Sequence, residues 1–417
     1  MNKPELLMPA GNLEKLKYAV KYGADAVYLG VVDFSLRSMR KGEIITLENL
    51  KEAVDLAHSL GARAYMTLNI FAFNDDIAKL EKAMPIIKEA NPDAIILSDF
   101  GVFRLVRKYI PDMPIHVSTQ ANSLNYETVK FWQDNGAKRV ILARELPIAD
   151  VAKIRENVPD IELEVFVHGA QCVSFSGRCL ISDYMTDNER KANLGNCSQP
   201  CRWKYKLVEE TRPGEYFEIN QGERGSHILS PKDLCLVEHL QKLVEAGINS
   251  FKVEGRTKSL YYVSAVAKTY RNAIDEVWQN PKADLSKYFE ELKKVGNRGY
   301  TQGFYLGDNN SESYSYDVSK GLAGSDFLCE FWDKVSEDFY KVKIKNKILL
   351  NDEVEIITPD EQFLTKVLEI KDKDDCNCEV ANTNDEARIR FVQAPKNYKY
   401  ALARTPGVVF INKKAKE

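Results

Sequence analysis

Leu6-Leu7-Met8-Pro9-Ala10-Gly11-Asn12-Leu13-Glu14-Lys15-Leu16-Lys17-Tyr18-Ala19-Val20-Lys21-Tyr22-Gly23-Ala24-Asp25-Ala26-Val27-Tyr28-Leu29 decides the fold. A short apolar run is followed by an amphipathic stretch from Leu13 to Tyr22, a glycine, and a second apolar run. Apolar residues spaced for one helix face, closed by a glycine suited to a left-handed cap, predict strand, helix, strand. The same unit recurs. Further apolar runs are Ala64–Leu68, Ala94–Leu97, Ile115–Val117, Val140–Leu142, Leu163–Val167 and Phe251–Val253. Helical patterns at Leu47–Leu60, Ile77–Ala90 and Thr128–Asn135 fall between them, and Gly61, Gly136 and Gly247 punctuate helix ends. Eight strands joined by crossover helices predict a parallel (β/α)8-like barrel, with a doubly wound open sheet as the alternative. Pro9-Ala10-Gly11-Asn12 does not match a dinucleotide-binding glycine pattern.

Residues 169–228 break the rhythm after the seventh strand and form an insertion much longer than an ordinary βα loop. Loops at strand C-termini build the active sites of such barrels, so the chemistry is expected there. The barrel is assigned to residues 1–310. Around Ser311–Ser315 the chain reads as a linker. Alternating segments at Tyr340–Ile344, Glu353–Ile357, Thr365–Ile370 and Ala387–Val392 predict a small all-β C-terminal domain over residues 320–417, a barrel or a sandwich.

Half of the eight cysteines, Cys172, Cys179, Cys197 and Cys201, fall within 30 residues of the insertion, and Cys235 follows. Thiols gathered in this way bind a metal, form disulfides or carry redox chemistry. The N-terminus carries no apolar stretch of signal-peptide length and no run approaches a membrane span, which predicts a cytoplasmic protein with reduced thiols. Only Cys197 and Cys201 have zinc-like spacing, while Cys172 and Cys179 are six residues apart, and ferredoxin-type runs are absent. An iron–sulfur cubane, a zinc ion and unligated thiols all remain open on spacing alone. Ser230, Pro231 and Asp233 read as the cap of a helix that would hold Cys235 in its first turn. Cys329, Cys376 and Cys378 read as incidental.

Period-two alternation puts Glu164, Phe166 and His168 on one face of the seventh strand, and Lys252, Glu254 and Arg256 on one face of the eighth. His168, Glu254 and Arg256 are the candidate catalytic residues, His168 as an acid or base. Arg256, Arg144 and Arg178 are candidates to grip a small dicarboxylate through their guanidinium forks. An internal salt-bridge network is the competing reading. The other histidines give no comparable signal. A net charge of −3 gives no global attraction to nucleic acid. A local patch, Arg202-Trp203-Lys204-Tyr205-Lys206, interleaves cations with aromatics in the pattern of an RNA contact or of a packed strand.

The segments Glu164-Val-Phe166-Val-His168-Gly169-Ala170-Gln171-Cys172 and Gly177-Arg178-Cys179-Leu180-Ile181-Ser182 resemble the signature of the U32 "peptidase" family, with Gln171 where an aliphatic residue is usual. Glu5–Gly11, Asn196–Arg202 and Lys252–Arg256 strengthen the resemblance, which runs over nearly the whole chain. It implies an oxygen-independent hydroxylase holding a [4Fe-4S] cluster, acting at C5 of the wobble uridine in a tRNA anticodon loop, with prephenate as hydroxyl donor. The family's older label implies a collagenase-like protease instead. Carried over position by position, the ligands would be Cys172, Cys179, Cys197 and Cys235, leaving Cys201 over. The resemblance further implies an RNA-binding C-terminal module and a homologous partner protein, and no membrane.

Overall fold

A computed structural model describes residues 2–32, 34–36, 44–187, 189–190, 197–205, 221–222, 225–227, 231–307, 313, 322–336 and 339–407. Ser230, Lys206, most of the linker and the lysine-rich tail fall outside them, and for residues 204–205, 221–222 and 225–227 only the backbone is described.

The strands are β1 (Glu5–Ala10), β2 (Ala26–Gly30), β3 (Arg63–Leu68), β4 (Ala94–Leu97), β5 (Ile115–Val117), β6 (Arg139–Ile141) and β7 (Glu162–Ala170). In the insertion lie β8 (Lys204–Tyr205), β9 (Gln221–Gly222) and β10 (Gly225–His227), followed by β11 (Asp233–Cys235), β12 (Ser250–Val253) and β13 (Tyr300–Thr301). Strands β1 to β7 pair in parallel in chain order, and β12 pairs in parallel with both β1 and β7. That double pairing closes an eight-stranded parallel barrel and excludes the open sheet.

Six helices separate the first seven strands: α1 (Leu13–Lys21), α2 (Leu50–Ser59), α3 (Asn74–Ala90), α4 (Phe100–Tyr109), α5 (Tyr126–Asp134) and α6 (Ile148–Asn157). Asn12, Asp99 and Asn125 cap α1, α4 and α5 by accepting amide hydrogen bonds. Gly23, Gly61 and Gly136 take positive φ just past α1, α2 and α5, as the sequence requires. Helices α7 (Ile181–Met185), α8 (Leu240–Glu245), α9 (Leu260–Gln279) and α10 (Ser286–Lys293) follow.

Two expectations need correction. The Pro231–Cys235 segment is not a helix start: Asp233–Cys235 is strand β11, antiparallel to β7 and parallel to β13. Pairing with the overhanging end of β7 satisfies its backbone better than an isolated turn would, and helical structure begins only at Val237. His168 also leaves the face shared by Glu164 and Phe166. The β7–β12 register shifts between Lys252 and Val253, so that Phe166 faces Lys252 while His168 faces Val253. One extra residue reverses the side-chain alternation beyond it.

The barrel floor, at the strand N-termini, is ionic. Arg139 donates to Glu5 at 2.7 Å, Glu162 at 2.6 Å and Glu164 at 2.9 Å. Lys252 donates to Glu164 at 3.0 Å, and the Tyr65 and Ser250 hydroxyls reach Glu5. Burial alone would raise the Glu5 carboxyl, but Arg139 and Arg63 beside it hold it below its ordinary value.

Residues 327–404 form a second closed barrel of six antiparallel strands: Phe327–Lys334, Phe339–Ile344, Glu353–Ile357, Gln362–Lys371, Glu386–Phe391 and Leu402–Arg404. It has its own apolar core around Cys329, Phe331, Val342, Val354, Val367 and Ile389. It is docked on α9 and α10. Fully buried Arg404 donates to Glu355, Glu291 and the Tyr261 hydroxyl, Lys268 donates to the Thr358 and Glu361 carbonyls, and the Tyr22 hydroxyl reaches the Ile357 and Tyr400 carbonyls.

Replacing Arg139 by methionine takes one cation from each of the buried carboxylates Glu5 and Glu164, leaving Arg63 beside the first and Lys252 beside the second. The expected loss is about 3–5 kcal/mol, read as a shifted urea midpoint, whereas exposed Lys51→Ala shifts it by under about 1 kcal/mol.

Candidate functional site

A cleft of about 560 Å³ opens at the C-terminal ends of the barrel strands. Its floor is Phe166, with the Arg144 guanidinium 3.8 Å and the Lys252 ammonium 5.5 Å from the ring centre. Arg144 also donates to the Ala170 carbonyl at 2.8 Å and meets Glu254 at 3.5 Å. Arg256 is buried, donates to the Ser35 hydroxyl and to Thr67 at 3.1 Å, and lies over the Tyr28 ring. Arg202, Arg298 and Lys258 complete the lining, in which the carboxylates among the described residues are Glu145 and Glu254, while Arg298 also donates to Asp233 behind it. The Glu145 Oε2, Gln171 Nε2 and Arg298 Nε atoms are buried with no hydrogen-bond partner among the described residues, as expected of a site shaped for a polar ligand.

Close approach of β7 to the chain after β12 shapes this floor. Gly169 has φ +104°, and a Cβ there would stand 2.4 Å from the Glu254 carbonyl oxygen, so no larger residue fits. Glu254 and Arg256 thereby reach the cleft just past the end of β12.

Cys172, Cys179, Cys197 and Cys201 all line the cleft. The insertion is tied down around them. The Ser176 amide donates to Glu145 at 2.7 Å and its hydroxyl to Asn122 at 2.7 Å, the Ser198 amide donates to the Ser182 hydroxyl at 2.9 Å, and Arg202 donates to the Gln171 carbonyl at 3.1 Å. Two sulfurs already accept backbone amides, Cys179 from Ile181 at 3.4 Å and Cys197 from Gln199 at 3.3 Å. Burial pushes the Cys201 thiol up, Arg202 beside it pulls the other way, and the other three thiols are close enough to add to the cost of its charge. Among the described residues no three His, Cys, Asp or Glu side chains converge tightly enough to hold one metal ion. Four thiols spread around one cavity suit a polynuclear cluster, whose irons take one thiolate each, better than a lone zinc.

Cys235 is not among the thiols lining the cleft. It is buried beside the Tyr270 hydroxyl of α9, 3.9 Å from its sulfur, and burial pushes its thiol up to about 12. As strand partner of His168 it faces the helical layer. Cys201, left over in the position-by-position reading, is the fourth thiol in the cleft. His168 lies among the Tyr262, Tyr270 and Tyr300 rings, its Nδ1 3.3 Å from the Tyr270 hydroxyl. Burial lowers its pKa to about 3, so the ring is neutral and packed away from the cleft. Arg178 also lies elsewhere: it donates to the Gln120 carbonyl at 2.8 Å and lines a neighbouring pocket. Of the expected residues, Arg144, Glu254, Arg256, Cys172, Cys179 and Cys197 come together. Reading from sequence missed Arg298, Lys258, Tyr28 and Asn69, and it weighed Arg202 only as an RNA contact; adjacency to Cys201 was the available signal for Arg202.

Residues 11–315 match Peptidase family U32, and residues 324–404 match the Peptidase family U32 C-terminal domain. The chain belongs to family U32. It is 39% identical over 399 residues to "tRNA hydroxylation protein P" of Escherichia coli, covering 86% of this chain and 87% of the relative. It is 38% identical over 371 residues to "tRNA hydroxylation protein P1" of Bacillus subtilis, covering 88% and 86%. A relative named "Collagenase", from Porphyromonas gingivalis, is 32% identical over 325 residues, covering 75% and 76%. No helix among the described residues is long and apolar enough to cross a membrane.

Because the folded pKa of His168 lies below its ordinary value of 6.5, its contribution to stability is complete above about pH 6.5 and is lost as pH falls towards 3. Urea unfolding at pH 7 and pH 4 should therefore show a smaller pH-dependent loss for His168→Gln than for the wild type.

Proposed function

We propose that this chain hydroxylates C5 of the wobble uridine of tRNA in the cytoplasm, with prephenate as hydroxyl donor and a [4Fe-4S] cluster held by Cys172, Cys179, Cys197 and Cys201. The observation that carries the reading is the set of four thiols facing one cationic cleft at the barrel mouth, in a chain about 39% identical over most of its length to proteins named for tRNA hydroxylation. A resident cluster would supply one-electron chemistry beside the substrate. The protein's own residues bind and orient. Arg144 and Arg256 present guanidinium groups to the carboxylates of a dicarboxylate donor, and Glu254 keeps Arg144 aimed across the Phe166 floor. Glu145 Oε2 and Gln171 Nε2 offer an acceptor and a donor to the polar edge of a base. An anticodon-loop uridine is already largely unstacked, so moving it into the cleft costs little. The C-terminal barrel, docked through Arg404 and Lys268, serves in this reading as a further tRNA contact, and a homologous U32 chain as a partner.

Peptidase activity has support from the relative named "Collagenase". It fits the site less well. A nucleophilic thiol needs an adjacent base, and among the described residues no histidine hydrogen-bonds a cleft thiol; His168 is turned away from the cleft, and His116 is buried and made neutral by its surroundings.

Mass spectrometry of tRNA from a deletion strain, with any redundant enzyme also removed, should show loss of 5-hydroxyuridine; unchanged modification would refute the hydroxylase reading. Anaerobically purified Cys201→Ser should lose most of its iron and acid-labile sulfide, whereas Cys235→Ser should retain both. The reverse pattern would return the fourth ligand to Cys235.

A further inference from the structure

Beside the cleft lies a second concavity of about 380 Å³, between the ends of β4 and β5 and the helices α4 and α5. Phe100 and Phe131 line it, 59% and 48% exposed, with Trp132 buried beneath them. Phe100 stacks nearly flat on Trp132, with centroids 5.0 Å apart and planes 12° apart, and Phe131 stands edge-on to both rings. Trp132 thus fixes two large apolar rings that remain open to water, which a packing role alone does not require. The pocket is not wholly apolar. Glu127 and Thr128 stand at its side, and Ser98, 7% exposed, lines it with a buried hydroxyl that has no hydrogen-bond partner among the described residues.

The pocket and the cleft share a wall. Arg178 lines the pocket, immediately precedes Cys179 of the cleft, and donates to the carbonyl of Gln120, itself a cleft residue. A cation therefore sits on the ridge between them, where the backbone of a strand occupying both would carry its phosphate.

We propose that this pocket takes a nucleobase of single-stranded RNA, next to the nucleotide held in the cleft, with Arg178 on the phosphate between the two. The inference rests on the reading of the chain as acting on tRNA and names a subsite for that substrate. A base offers apolar faces and a polar edge. The pocket offers aromatic rings for the faces, and the Ser98 hydroxyl and Glu127 carboxylate for the edge. An apolar peptide would cover the rings but leave Ser98 and Arg178 without a role.

The test is anisotropy of a fluorescein-labelled heptaribonucleotide with a central uridine, titrated with full-length protein. Phe131→Ala should weaken binding about tenfold, within the range for loss of one base–aromatic stack, while Phe131→Tyr stays within about twofold of wild type. Arg178→Ala should lower the salt dependence of binding by about one phosphate contact, and Phe131→Ala should leave it unchanged. An oligonucleotide abasic at the position next to the uridine should bind wild type and Phe131→Ala equally. Wild type failing to bind the RNA, equal affinity of Phe131→Ala for the intact oligonucleotide, or a Phe131→Ala penalty that persists with every neighbouring position abasic would overturn the proposal. The two readings fail separately. Unchanged 5-hydroxyuridine in the deletion strain, with RNA affinity still dependent on Phe131, sinks the hydroxylase reading and leaves the pocket standing. Lost 5-hydroxyuridine with affinity indifferent to Phe131 sinks only the pocket.

Discussion

A guanidinium sealed inside a protein must be matched by carboxylates or it destabilises everything packed around it, and Arg139 is matched from two directions at once. Glu5 reaches it from β1, and Glu162 and Glu164 reach it from β7; Glu164 is then shared with Lys252 of β12. These are the strands at the seam where the parallel barrel closes. Concentrating charge at the floor has a consequence at the other end. Lys252 is tethered below to Glu164 and also lines the cleft, where Phe166 lies between its ammonium and the Arg144 guanidinium, so the ionic base and the cationic cavity meet at this one side chain. The internal salt-bridge reading of the barrel's charged residues therefore holds at the floor, and the arginines proposed to bind a ligand stand above it.

The irregularity in β7 divides the chemistry sideways. Up to Phe166 the strand follows simple alternation; beyond the register shift, His168 and its strand partner Cys235 belong to the tyrosine-lined layer under α9. A neutral imidazole and a protonated thiol there are packing groups. The thiols that face the cleft all come from the insertion, which is anchored to neighbouring loops through Ser176, Ser182 and Arg202.

Most of the barrel was legible because each element carried a local signal: apolar runs of strand length, amphipathic helices, and glycines where positive φ is needed. All eight expected strands lie in the closed barrel. What escaped depends on partners remote in sequence. Pro231–Cys235 has good helix-start chemistry, but the overhanging edge of β7 supplies a sheet partner that no local pattern encodes. His168 obeys alternation in sequence and breaks it in space, because an inserted residue at a strand pairing leaves no compositional trace. In the C-terminal barrel the four regularly alternating strands were found. Phe327–Lys334, whose register shifts after Phe331, and the three-residue Leu402–Arg404 were not. At the site, clustered cysteines and arginines beside strand ends were visible, but that Cys201 lines the cleft while Cys235 and Arg178 do not needed the third dimension.

Arg404, fully buried where the two barrels meet, has a consequence for how a large substrate is handled. Its fork is held by Glu355 of its own barrel and by Glu291 and Tyr261 of the other, so the second barrel is bolted to the first rather than hung from it. A protein built in this way resembles a caliper with a locked jaw. The span from its outer sheet to the thiol-lined mouth is set by the fold, so that if the tRNA proposed as substrate touches both barrels, the RNA supplies whatever bending is needed.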